Sequence, residues 1–291
     1  MKSKRTDLAL ESAELLEEGS QALSDLEGVC VKEQEQDGLH STVVEITSPQ
    51  GAKALDKAMG RYVTLTVEDS SQAGLPAAAG AVAAQLRPFL RHLPQQEPVL
   101  VVGLGNRFIT PDAIGPEVHR NIFVTRHLLR QLPDIFGGVR SVASVSAEVL
   151  GNTGIESGEV VRGVCQCVRP CCVIAVDALA CRSVHRLCST VQISNAGITP
   201  GSGVGNHRFT LDEASLGVPV IAMGVPTVVD AAALCADLSE PSSPSSQSPE
   251  LMVTPRDIDR KVSQLSKLIA YGINLALQPE MTIDELELLL H

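Results

Sequence analysis

The chain has 291 residues, 44% of them hydrophobic and 20% charged, with a formal net charge of −11. This is enough apolar material for one large α/β domain. The negative charge would repel a phosphate backbone, and an aromatic content of 2% with no Trp leaves little on which bases could stack.

No apolar run approaches the roughly 18 residues that a membrane span needs. The opening MKSKRTDLALESAELLEEG has no secretory apolar segment. A cytoplasmic protein is expected, with its eight Cys mostly free thiols.

In chain order, residues 8–26 carry helical spacing, with Leu8, Leu15 and Leu16 on one side and Glu on the other. Residues 41–47 (STVVEIT) and 61–68 (RYVTLTVE) alternate as strands do, and 77–93 reads as a helix. Three runs, 98–104 (PVLVVGL), 172–176 (CVIAV) and 218–223 (VPVIAM), are apolar at nearly every position, as strands covered on both faces are. Helical patterns at 115–132 and 153–168 lie between them, and this alternation predicts βαβ units around a mostly parallel sheet. Residues 237–250 are Ser/Pro-rich and read as a surface loop, and 255–277 as a long amphipathic helix.

In open parallel sheets ligands bind beyond the carboxyl ends of the strands. Three carboxylates follow the three apolar runs: Asp112 in GNRFITPDAIGP, Asp177 in VIAVDALA and Asp230 in GVPTVVDA. Asp112 has a structural alternative, in a helix first turn with Thr110 as cap and Pro111 at the first position, and Asp177 has one as a helix cap. Two converging carboxyls would separate each other's pKa values, so that one holds a proton while the other acts as base, which suffices for peptide hydrolysis. The glycine pattern of a dinucleotide-binding turn fails, because its third Gly would fall at Phe108. The turn Gly201-Ser-Gly203-Val-Gly205 suits an anion or a tight bend. The cysteines show no zinc-like spacing and read as buried thiols.

The stretches VVGLGN, TPDAIGPEV, NIFVTRHLL, GNTGIESGEVVRGV, AVDALACRSVHRL, VQISNAGITPGSGVGN, VPVIAMGVPTVVDA and MVTPRDID together resemble the germination (spore) protease family over essentially the whole chain. The resemblance implies a three-layer α/β fold with a mostly parallel central sheet, like that of hydrogenase-maturation proteases, plus a small β-containing N-terminal extension. It implies an atypical aspartic endopeptidase that starts the degradation of small acid-soluble spore proteins, is made as a zymogen, assembles as a homotetramer and works in the forespore and spore core without a cofactor. The family's two carboxylates match Asp112 and Asp177. Its cleavage rule, after an acidic residue and before a hydrophobic residue and Ala, points to autoprocessing between Asp7 and Leu8. The chain then divides into a propeptide of residues 1–7 and one peptidase domain of residues 8–291. Asn106, Arg182, Ser202 and Asn206 are further candidates for lining the site. Asn195 stands where the family often has Asp, and Arg107 where a Trp is usual.

Two other readings remain open on the sequence. The GLGN turn followed by an acidic residue also resembles hydrogenase-maturation endopeptidases, which would make Asp112, Asp177 and a His ligands to a divalent metal, while His119, His127, His185 and His207 are each candidates for a base. A non-catalytic nucleotide- or anion-binding module would use the two Gly-rich turns instead.

Overall fold

The computed structural model describes residues 6–19, 26–36, 39–67, 70–201, 209–238 and 251–290. Its strands are β1 (Val29–Gln36), β2 (Leu39–Ile46), β3 (Gly60–Thr66), β4 (Val99–Leu104), β5 (Val142–Ala147), β6 (Cys172–Cys181), β7 (Thr190–Ser194), β8 (Val220–Asp230) and β9 (Met252–Val253). The helices are α1 (Ala9–Glu18), α2 (Pro49–Leu55), α3 (Leu75–Leu90), α4 (Ile114–Arg120), α5 (Arg126–Gln131), α6 (Pro133–Phe136), α7 (Leu150–Thr153), α8 (Ser157–Val168), α9 (Glu213–Leu216), α10 (Ala231–Leu238), α11 (Ile258–Leu277) and α12 (Ile283–Leu290).

Among the described residues the nine strands join one sheet in the order β1-β2-β3-β7-β8-β6-β4-β5, with β9 on β8. The three apolar runs form the parallel core, in which β4 pairs with β5 and β6, and β6 pairs with β8. The N-terminal strands β1, β2 and β3 continue the same sheet, antiparallel, through β7. One face carries the larger core, where α3, α4 and α11 bury Val82, Leu86, Ile114, Leu268 and Ile269 against Val101, Ile174 and Ile193. On the other face α8 packs Val161 and Cys165 against Leu100, Val102 and Val173, while α1 and α2 cover Val44, Ile46 and Tyr62. Helices on both faces make the expected three layers.

Two strands run further than their apolar runs suggest. β6 continues from Val176 through Asp177 to Cys181, so Asp177 lies inside the strand rather than past its end. β8 continues through Gly224 and Pro226 to Asp230. The register slips between Leu179 and Ala180, which pair with Pro226 and Val228, so Thr227 is the extra residue of a bulge that accommodates the proline.

The helical pattern at 115–132 splits into α4 and α5. The buried Asn274 of α11 receives the Phe123 N–H (2.9 Å) and donates to the Asn121 carbonyl (2.9 Å), so the chain leaves the helix at that point. α8 begins at Ser157 instead of 153, with Glu156 and Glu159 forming a reciprocal cap. α1 ends at Glu18, and residues 239–250 of the Ser/Pro-rich stretch lie outside the described residues. All eight Cys are free, and Cys165, Cys171, Cys172, Cys181 and Cys188 are buried. Among the described residues no helix is long and apolar enough to cross a membrane.

α1 is fastened to the sheet by one buried carboxylate. Glu11 is 1% exposed and accepts from the Arg182 N–H (2.7 Å), the Ser183 N–H (2.9 Å), the Arg186 guanidinium (3.4 Å) and the Thr6 hydroxyl. These bonds satisfy the charge that burial would otherwise make costly. Arg186 also grips Glu14 through two bonds (2.5 and 2.7 Å).

Candidate active site

β4 ends in the turn Gly103-Leu-Gly105-Asn106, whose two glycines, with Gly115 of α4, permit close backbone contacts. A Cβ on Gly103 would lie 2.1 Å from the Gly115 carbonyl, and one on Gly115 would lie 2.2 Å from the Leu104 carbonyl and 2.5 Å from that of Val176. The start of α4 therefore rests directly on β4 and β6. Gly105, at φ +112°, lets the Asp112 backbone approach to where a Cβ would stand 2.2 Å from its carbonyl.

Gly115→Ala is expected to push α4 off the sheet and to destabilise the protein by about 2–4 kcal/mol, because every atom in its way is backbone. Thermal denaturation checks this, and an unchanged midpoint would show that the contact yields.

Asp112 closes a single 3-10 turn, Thr110–Asp112, in which Thr110 is the first residue and not the cap: Ile109 precedes the turn and no side chain caps it. Its side chain is not spent on that turn. Oδ2 accepts the Asn106 N–H at 2.8 Å, and the same N–H reaches the Asp112 carbonyl at 3.1 Å. Burial raises the Asp112 carboxyl to about 6, and the hydrogen bond from Asn106 only partly opposes that. Asp177 is 5% exposed, and its Oδ1 accepts the N–H of Ala178 (2.9 Å). Burial, and then the charge of Asp112, hold its carboxyl well above the usual range.

The topology brings the two together. β4 and β6 are parallel neighbours paired as far as Gly103 and Val176, so Asp177 stands one residue beyond the level at which β4 turns away. Both carboxylates line a cavity of about 610 Å³ together with Asp7, Asn106, Phe209 and Thr227. Thr227, the bulge residue, is fully buried, and its hydroxyl has no partner among the described residues.

Asn106 is one of the residues that the structure brings to the site. Its Oδ1 accepts from Phe108 N (3.0 Å) and Asn152 Nδ2 (2.9 Å), and Asn152 also donates to the buried Glu148 (3.0 Å), which Arg107 meets from outside. Arg182 does not line the cavity. Its guanidinium holds Glu18 (2.9 Å), so it fastens α1. Asp230 caps α10 by accepting from Ala233 N (3.3 Å). Asn195 receives the Arg61 N–H (2.8 Å) at the start of β3. Ser202, Asn206 and His207 lie outside the described residues, as does most of the second Gly-rich turn.

His119 shares a hydrogen bond with Ser144 (2.7 Å), while His127 and His185 are exposed. Among the described residues no group of three or more His, Cys, Asp or Glu side chains is placed to hold a metal ion.

Asp7 and Leu8 lie on the sheet. Asp7 N donates to the Ala180 carbonyl (2.9 Å), and Ala180 N donates back to Asp7 Oδ2 (2.8 Å). Leu8 is fully buried against Leu179, Cys181 and Val229. Sequence reasoning missed Gln192, Lys57, Thr227 and Glu148. Only Glu148, directly after a short strand, carried a signal that a search of strand ends could have used.

Fold and site define an α/β protein with one buried and one half-buried carboxyl at the carboxyl edge of its parallel strands, opening into one cleft. Residues 7–240 match the family model of the germination proteases. A germination protease of Clostridium perfringens strain SM101 is 41% identical, with 97% of each chain covered, and one of Caldanaerobacter subterraneus is 43% identical, covering 99% of this chain and 98% of the relative. A solved NiFe hydrogenase maturation protease from Thermococcus kodakarensis aligns with 65% of this chain and 98% of its own at 18% identity and a TM-score of 0.37. The chain belongs to the germination protease family and is a peptidase.

Proposed function

We propose that this peptidase is an endopeptidase of the atypical aspartic type, with Asp112 and Asp177 as its catalytic pair. It initiates degradation of small acid-soluble spore proteins at germination, cutting after an acidic residue that is followed by a hydrophobic residue and Ala. It is made as a zymogen that processes itself between Asp7 and Leu8, and it acts as a homotetramer in the forespore and spore core without a cofactor.

One observation carries the reading: Asp112, Asp177 and the residue before the proposed cleavage point, Asp7, line the same cavity. Asp177 is the more strongly raised of the two, so the pair's proton is assigned to Asp177 and the role of base to Asp112. The Asp112 carboxylate takes a proton from water as the water oxygen bonds to the peptide carbonyl carbon. Asp177 then gives its proton to the amide nitrogen as the C–N bond breaks. Proton exchange with solvent resets the pair.

The cleavage rule is tested with a synthetic peptide carrying Asp-Leu-Ala between polar flanks, incubated with processed enzyme and read by mass spectrometry. Cutting after Asp supports the rule. An intact peptide would refute it, and cleavage abolished by a chelator and restored by metal would favour the metal-dependent reading.

A further inference from the structure

Four residues of the N-terminal segment, Thr6 to Ala9, are held by a run of directional contacts across one face of the sheet. Lys57 Nζ donates to the Thr6 carbonyl (2.8 Å), and Ala180 takes both the N–H and the carboxylate of Asp7. Leu8 fills the apolar site described above. Gln192 of β7, 7% exposed, spans the next bond: its Nε2 donates to the Asp7 carbonyl (3.2 Å), and its Oε1 accepts the Ala9 N–H (2.8 Å). The partners fix the orientation of the amide, since one is only an acceptor and the other only a donor.

Gln192 also shares a row with the carboxylates. Asp177 on β6 pairs with Gly224 on β8, and Gly224 pairs with Gln192 on β7, so Asp177 and Gln192 project from the same face. Gly224 between them adds no side chain. A Cβ there would lie 2.5 Å from Leu179 Cγ, beside the Leu8 site.

We infer that Gln192 is a further catalytic residue: Nε2 holds the carbonyl of the bond to be cut and stabilises the charge that develops on its oxygen, while Oε1 holds the N–H of the second residue beyond that bond. The inference rests on the proposed cleavage between Asp7 and Leu8. A backbone donor or side-chain amide aimed at such an oxygen is worth about a hundredfold or more in rate. The two bonds bracket the peptide and are independent of the side chains on either side of it.

A Gln192 that only clamped α1 would affect stability instead of rate, and a double-mutant cycle on autoprocessing separates the two roles. Ala9 is the first residue of α1 and follows Leu8, which is extended at φ −81° and ψ 123°. Proline is accepted at that position and after that conformation, so Ala9→Pro removes the N–H while leaving the helix intact. The first-order rate of conversion to the chain beginning at Leu8 is measured by intact mass for the full chain, Gln192→Met, Ala9→Pro and the double variant, with thermal midpoints as the check on folding.

Gln192→Met is expected to process about a hundredfold more slowly with its midpoint within a few degrees of the parent. Ala9→Pro also replaces the Ala of the proposed cleavage rule, so it is expected to cost about tenfold or more alone and a smaller factor in the Gln192→Met background than in the parent. A rate for folded Gln192→Met within about threefold of the parent would overturn the inference. Should Gln192→Met fail to fold, Gln192→Glu keeps an acceptor for Ala9 but lacks the amide donor. It is expected to be comparably slow, and a parental rate would be fatal. If the unmodified chain is cut, but not between Asp7 and Leu8, the cleavage-site reading itself fails and this inference falls with it.

Discussion

Asp177→Asn and Asp112→Asn are each expected to yield a folded chain that stays unprocessed, with peptidase activity down by about a thousandfold or more. Asn matches the carboxyl in shape and keeps an oxygen for the bonds from Ala178 and Asn106, but neither donates an acidic proton nor accepts one from water. The same substitutions are expected to stabilise the protein at neutral pH. Both carboxyls bind protons more tightly in the folded chain than in the unfolded one, because burial opposes their charge. Their contribution to stability is therefore complete at acid pH, below the ordinary carboxylate range, and is lost as the pH rises through the folded values. For Asp112, raised from 3.8 to about 6, the cost at neutral pH is about 1–3 kcal/mol, and Asn removes it. Differential scanning calorimetry at pH 7 should show Asp112→Asn melting about 2–6 °C higher, and the gap should close towards pH 4. A loss of activity accompanied by a lower melting point would instead identify a structural residue.

The pH dependence of peptide cleavage by the processed enzyme is expected to have an acid limb centred near 6, the value to which burial brings Asp112. Below it the pair holds two protons and has no base. Above it one proton remains, on Asp177, until that carboxyl also ionises and the rate falls again. The two limbs belong to the pair, so removing one charge should move the other limb. In Asp177→Glu, which keeps a carboxyl, a residual rate with a displaced profile is expected. A single limb near pH 4, the ordinary carboxylate range, would mean that Asp112 is solvated in the working enzyme and is not the base.

The parts of this architecture legible in the sequence are those that burial dictates locally. The runs at 98–104, 172–176 and 218–223 are apolar on both faces because helices cover both sides of the strands they form, and α11 repeats its buried positions at helical spacing. The strands missed at 29–36, 142–147 and 190–194 had no such signal: β1 is mostly polar, β5 is built of small residues, and β7 is five residues long. Asp177 read as a residue beyond its strand because a carboxylate ordinarily ends an apolar run. Here β4 stops first and the cavity opens beside β6, so the strand carries an acid inside it.

The two aspartates were separately visible as groups near strand ends, but their convergence depends on β4 and β6 being neighbours, and their assignment as a pair came from resemblance. Gln192 was invisible for the same reason. Its importance comes from Gly224 and Asp177, which are distant in sequence and adjacent only through pairing in the sheet.

The most direct measurement is intact mass with N-terminal sequencing after incubation of the full chain and of Asp112→Asn and Asp177→Asn. Loss of seven residues to begin at Leu8 in the full chain, with both variants whole and folded, is the expected result. Normal processing in both variants would contradict the carboxylate pair.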